Sequence, residues 1–370
     1  MSYGRRAPYR RHAAYRRRRL VALLSLATIV AVLVVLVSSG GHQSGPGRSR
    51  ASVRTTARRA AHRRAGPATP TLPLAGIPAG RWIGLPEAPS SRGEVSAARI
   101  GTVAYVVGGF DASGHTTAEV QRLDLRTERW STTHPMPVAL NHMSAVSYGG
   151  RLYVVGGYSQ PGDTSSGAVA GFWSYDPATG RWKTMPDAPL ARAAAGAAVL
   201  GHRLYVAGGR SDTVSALSAL AIFDFDTGRW SLGPSLAHAR EHVAAVAAGG
   251  AVWLLGGREL GVGNFTYVER YRPGAASWQT MPAMPVARSG FQAVVAGGSI
   301  VVVGGEDGAQ TVPQTERLDL RTGRWSPLAD LPVARHGLGV VSIGPLVFTI
   351  DGGPQPGLTT SRVVQRLRVP

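Results

Sequence analysis

Residues 278–305 read WQTMPAMPVARSGFQAVVAGGSIVVVGG, and the spacing inside this stretch decides the fold. Ten residues separate Trp278 from Arg288, and sixteen separate Arg288 from the first glycine of Gly304-Gly305. Between Arg288 and the glycines lie two short β-rich runs, AVVA and SIVVV, joined by a Gly-Gly turn, the signature of a hairpin. Downstream come a polar loop, the alternating segment TERLDL, the turn RTGR and then Trp325, so the pattern starts again.

The same frame recurs along the chain, which identifies an internal repeat. Tryptophan returns at Trp82, Trp130, Trp182, Trp230, Trp278 and Trp325. Ten residues after each stand Arg92, Leu140, Arg192, Arg240, Arg288 and Arg335. Glycine pairs follow at Gly108-Gly109, Gly156-Gly157, Gly208-Gly209, Gly256-Gly257 and Gly304-Gly305, with Asp351-Gly352-Gly353 in the sixth unit. Six residues before a Trp lies an Asp in four units, Asp124, Asp176, Asp224 and Asp319. Each unit contains four strand-like runs and cannot bury both faces of a sheet alone, whereas six units arranged around an axis can.

With the repeats in view, the sequence resembles a kelch-repeat β-propeller in its Gly-Gly doublets, its Leu-Asp, Tyr-Asp and Phe-Asp pairs and its six Trp residues. The resemblance covers residues 81–370 and implies an all-β, six-bladed propeller with four antiparallel strands per blade. Trp82 has no strands of its own unit before it, and the last unit has no Trp of its own. The N-terminal strand at Trp82 is therefore expected to complete the last blade and close the ring.

Antiparallel order puts the b–c loops and the d–a connections on one face. The b–c loops, such as FDASGHTTA and RELGVGNF, are long and dissimilar, so the ligand face is expected there. At its centre the repeat gives Arg92, Arg192, Arg240, Arg288 and Arg335 a ring with Leu140 at the gap. Two readings remain open: guanidinium forks that take a carboxylate, or braces for backbone carbonyls. Two residues further on lie Glu94, His142 and His242, with Ala194, Gly290 and Gly337 in the other units and His336 one position off. These are ligand-binding candidates. With His142, His242 and His336 on separate blades in unequal register, neither a metal nor another cofactor is expected.

Kelch propellers include protein-binding modules, sugar-binding proteins and a few enzymes, so the resemblance carries the fold further than the function. The expected role is binding of a protein or glycan ligand. The enzymatic alternative resembles sialic acid mutarotase, where Glu94, Glu241, His142 and His242 would act with Arg192 or Arg240. Galactose oxidase chemistry is excluded, because its Cys-Tyr crosslink needs a cysteine and this 370-residue chain has none.

Charge is distributed unevenly. Residues 1–80 contain 15 Arg and no acid, which leaves a near-balanced remainder of a total formal charge of +19 and gives no reason to expect nucleic acid as a partner. Residues 1–19 form a basic tail. Residues 20–37, LVALLSLATIVAVLVVLV, carry no charge and are long enough for a single transmembrane signal-anchor helix; a cleaved signal peptide is the alternative. The arginines before this run favour a cytoplasmic N-terminus and an extracytoplasmic propeller at the cell membrane. Residues 38–80, rich in Arg, Pro and Gly, read as a disordered tether.

Overall fold

The computed structural model describes residues 70–160 and 166–370. The basic tail, the apolar run 20–37 and the tether as far as residue 69 lie outside the described residues. Among the described residues no helix is long and apolar enough to cross a membrane.

Six four-stranded antiparallel sheets surround a central channel. In blade 1 strands a to d are Ser96–Ile100, Val103–Val107, Val120–Asp124 and Arg129–Thr132, in that spatial order. Blades 2 to 5 repeat the arrangement from inner strands Ser144–Tyr148, Gly196–Leu200, Ala244–Ala248 and Gln292–Ala296. Blade 6 takes strands a, b and c from Gly339–Ile343, Leu346–Ile350 and Val364–Arg368, and its outer strand is Trp82–Gly84. Trp82 pairs with Leu367 and Gly84 with Gln365, so the two ends of the propeller share one sheet and no edge is left open at the seam. The segment before this strand is ordered further back than its composition suggests. Leu72, Leu74 and Ile77 pack against the core shared by blades 6 and 1, and Gly80 N donates to Arg368 O at 2.9 Å.

The core lies between blades. Each of the six blade interfaces encloses one apolar cluster. Between blades 4 and 5, for example, Val246, Trp253 and Leu255 meet Phe291, Ile300 and Val302. One face of every sheet supplies one interface and the opposite face the next, which is why the b strands are apolar at nearly every position.

Three belts of hydrogen bonds link the blades, and the repeated residues supply two of them. Each indole N–H donates to the carbonyl four residues after the previous Trp: Trp130 to Pro86, Trp182 to His134, Trp230 to Pro186, Trp278 to Pro234, Trp325 to Pro282 and, across the seam, Trp82 to Ala329, all at 2.8–3.2 Å. The second glycine of each doublet donates its N–H to the carbonyl at the Arg position of the next blade, beginning with Gly109 to Leu140 and Gly157 to Arg192. The first glycine has no room for a side chain, since a Cβ on Gly108 would lie 2.3 Å from the Leu140 carbonyl oxygen and its φ is +58°. In blade 6 the pair is shifted by one residue from Gly352-Gly353. Asp351, at φ +56°, holds the first position, and Gly352 N makes the belt bond to Arg92 O at 2.8 Å. The aspartates before the outer strands cap their hairpins. Asp319 Oδ1, for instance, accepts from Arg321 N and Thr322 N at 2.8 and 2.7 Å.

Candidate functional site

The five ring arginines are enclosed. Their exposures are 0–1%, and their guanidinium groups turn into their own blades. Arg192 donates to the carbonyls of Val206, Gly208 and Ala219 at 3.3, 3.0 and 3.0 Å. Arg92 and Arg288 make the equivalent bond to Gly108 and Gly304, and Arg335 makes it to Asp351 O. The bond explains the sixteen-residue offset between Arg and glycine. Acidic or amide partners complete four of the sites: Asp351 for Arg92 at 3.3 Å, Glu269 for Arg240, Glu316 for Arg288 at 2.7 Å and Gln365 for Arg335 at 2.9 Å. In the gap, Leu140 packs with Met136 and Met143 in the core between blades 1 and 2. Burial pushes Arg192, Arg288 and Arg335 down to about 10.

One residue beyond these arginines the chain forms another ring. The next position in each unit pairs with the residue after the glycine doublet, as Asn141 does with Tyr158, Glu241 with Arg258, Ser289 with Glu306 and His336 with Gly353. The position after that closes the third belt. His142 N donates to Glu94 O, Ala194 N to His142 O, His242 N to Ala194 O, Gly290 N to His242 O, Gly337 N to Gly290 O and Val95 N to Gly337 O, at 2.7–3.3 Å. All six belt residues have positive φ, from +51° at Glu94 and His242 to +62° at Gly290. Four of them are not glycine, a conformation that persists only where the surrounding structure imposes it.

The belt draws Glu94, His142 and His242 together although they come from blades 1, 2 and 4. Ligand atoms of the three lie within 4.8 Å of one another. Glu94 Oε2 is 3.3 Å from His142 Nε2, and Glu94 Oε1 is 2.9 Å from His336 Nδ1. The His142 and His242 rings meet edge to face at 4.8 Å. Around them stand partners that the repeat landmarks did not single out. Arg258 Nε and Nη1 bind Glu241 Oε1 and Glu306 Oε1, both at 2.6 Å, and Glu241 Oε2 bonds His242 Nδ1. Arg258 and Glu306 each stand immediately after a glycine doublet, a position that sequence could have marked as facing the mouth. Burial opposes ionisation of Glu94, but His142 and His336 hold its carboxyl well below the usual carboxylate range. Burial likewise opposes Glu241, which His242 and Arg258 bring to about 2. Burial would lower His336, and Glu94 raises it above its ordinary value.

This cluster floors a cavity of about 220 Å³ walled by Phe110, Gly308, Pro356 and Leu358 from the b–c loops. The channel behind it, about 330 Å³, is lined largely by alanine, serine and valine from the inner strands. The acids, histidines and one guanidinium at the mouth can hold a cation or pass protons.

The family model for the KLHDC2/KLHL20/DRC7 Kelch-repeats domain matches residues 84–257, and the Kelch motif model matches residues 287–332. No curated protein matches the chain. With four antiparallel strands in each of six blades, the doublet belt and the seam at Trp82, these matches show that the chain carries kelch repeats folded as a six-bladed propeller.

Proposed function

We propose that this propeller is a protein-binding module that docks its partner on the face formed by the b–c loops and d–a connections. One observation supports this reading above the others. Of the eight large apolar side chains exposed among the described residues, six are on this face: Val214, Leu260, Val262 and Leu358 on b–c loops, and Leu190 and Val333 on d–a connections. Apolar groups around a polar, concave centre are what a protein interface presents. Kelch propellers generally serve as protein-interaction modules, which agrees. An anionic glycan held by the ring arginines would need guanidinium groups at the mouth, and these five are enclosed by their blades. The arginine-flanked apolar run 20–37 supports an N-terminal membrane anchor with the propeller on the extracytoplasmic side, a part of the proposal that rests on sequence.

The test is site-specific photocrosslinking in the cells that make the protein. A crosslinker at Val262 or Leu358 should capture one discrete partner, and Leu260→Ser should weaken that capture. The same crosslinker at Leu232, exposed on an outer strand, should not capture it. Equal capture from Leu232, or none from the loop face, would contradict the proposal.

A further inference from the structure

The belt that brings Glu94, His142 and His242 together also fixes their chemistry. Asn141 Nδ2 donates to Thr116 Oγ1 at 2.9 Å, and Thr116 Oγ1 donates onward to Gln160 O at 2.8 Å. This relay sets the amide so that its oxygen faces His142 Nδ1 at 2.6 Å, and Nδ1 is the nitrogen that carries the proton. The other ring nitrogen, Nε2, lies 3.3 Å from Glu94 Oε2, a separation that a proton or a metal cation can bridge. His242 is arranged alike, with Nδ1 on the Glu241 carboxylate. Arg258 Nη2 lies 3.5 and 3.4 Å from its two ring nitrogens, so a metal cation at His242 Nε2 would replace this guanidinium contact and leave the bonds of Arg258 to Glu241 and Glu306 in place.

We propose that Glu94, His142 and His242 form a binding site for a divalent transition-metal cation of the zinc type at the channel mouth. Two imidazoles and one carboxylate, without thiolate, suit zinc and its neighbours and not calcium or magnesium. Metal–ligand bonds of about 2.0–2.1 Å put tetrahedral ligand atoms about 3.4 Å apart. The Glu94–His142 separation has that value already, and the widest of the three requires closure by at most about 1.4 Å. Oriented imidazoles with acceptors on Nδ1 are the outer shell that metal-binding histidines use. Charge agrees. Glu94, Glu241 and Glu306 bring three carboxylates to the mouth beside one guanidinium, that of Arg258. The remaining belt residues, Ala194, Gly290 and Gly337, leave room for the ligands, since a Cβ on Gly337 would lie 2.5 Å from Glu94 Oε1. Three protein ligands leave a coordination position that faces the cavity, open to water or a partner's side chain.

The experiment titrates Zn²⁺ into the full chain, freed of metal by chelation, in a calorimeter at neutral pH. The site predicts one saturable event of 1:1 stoichiometry that is weakened more than 100-fold in the His142→Gln/His242→Gln double variant. Glu241→Gln, which alters only the orientation of His242, should weaken it about 10- to 100-fold. His115→Gln, at an exposed loop histidine, should leave it unchanged. Co²⁺ added to the unmodified chain gives a readout that does not depend on any variant folding: the intense visible bands of a four- or five-coordinate ion are expected. No saturable Zn²⁺ binding, binding that the double variant retains, or a Co²⁺ spectrum of the hydrated ion alone would overturn the proposal.

Discussion

Arg192 donates through Nη1 to the carbonyl of Gly208 at 3.0 Å, in a blade interior where its other bonds among the described residues are to the carbonyls of Val206 and Ala219. Among those residues this buried guanidinium is held by backbone alone, and it braces the b and c strands. Arg192→Gln should therefore lower stability by about 1 to 3 kcal/mol, because three carbonyls lose their donor. Arg240→Gln should cost more, about 3 to 5 kcal/mol, because Glu269 is left as an unpaired buried charge. Denaturant melts of the two variants check the ranking. Equal melting to the unmodified chain for both would contradict the bracing role.

The seam gives a second prediction. Trp82 fills the core between blades 5 and 6 and donates to Ala329 across the ends of the chain. Trp82→Ala should cost about 3 to 5 kcal/mol. Trp82→Phe, which keeps most of the apolar bulk, should cost about 1 kcal/mol for the lost hydrogen bond. Thermal melts separate the two, and a Trp82→Ala variant as stable as the parent would mean that the ring does not depend on this strand.

Belt strain yields a third. Ala194 is held at φ +54°, where a Cβ is unfavourable, so Ala194→Gly should be neutral or gain up to about 1 kcal/mol. Gly337→Ala should destabilise, because its Cβ would meet Glu94. Melting temperatures moving in opposite directions are the expected result.

Asp351 supplies a pH dependence. Burial pushes its carboxyl up to about 7, against the attraction of Arg92 and Arg335. A carboxyl raised above its unfolded value binds protons more tightly in the folded protein. Its contribution to stability is thus complete below the unfolded value of 3.8 and is lost as pH rises through about 7. Asp351→Asn keeps the shape and tolerates the left-handed backbone, so it should flatten the decline in stability between pH 4 and pH 7 expected of the unmodified chain. Denaturant midpoints across that range provide the check, and identical slopes would contradict the shift.

Much of the fold was legible because its landmarks are hydrogen-bonded to each other at fixed sequence offsets. The ten- and sixteen-residue spacings around Arg288 survive in the other blades because a guanidinium must reach the same carbonyl in each. The sixteen-residue offset from Arg335 marks Asp351-Gly352-Gly353 in the sequence, but which two of the three hold the doublet positions follows only from the belt bond of Gly352 N to Arg92 O. The site was legible as a set of positions and not as an arrangement. Glu94, His142 and His242 were marked by repeat register, but their convergence from blades 1, 2 and 4 depends on the belt closing around the axis. No spacing reports that closure. Arg258 and Glu306 were missed for a related reason, since their role follows from a cross-strand pairing that brings loop residues over the mouth.

The claim that the loop face receives a protein partner is tested most directly by hydrogen exchange. The full chain is compared with and without the protein captured at Val262. Slowed exchange is predicted in the b–c loop segments 258–264 and 354–360, with no change in the c–d turns at 125–128, 225–228 and 320–323. Protection of those turns with unchanged exchange in the b–c loops would place the partner on the opposite face and contradict the account.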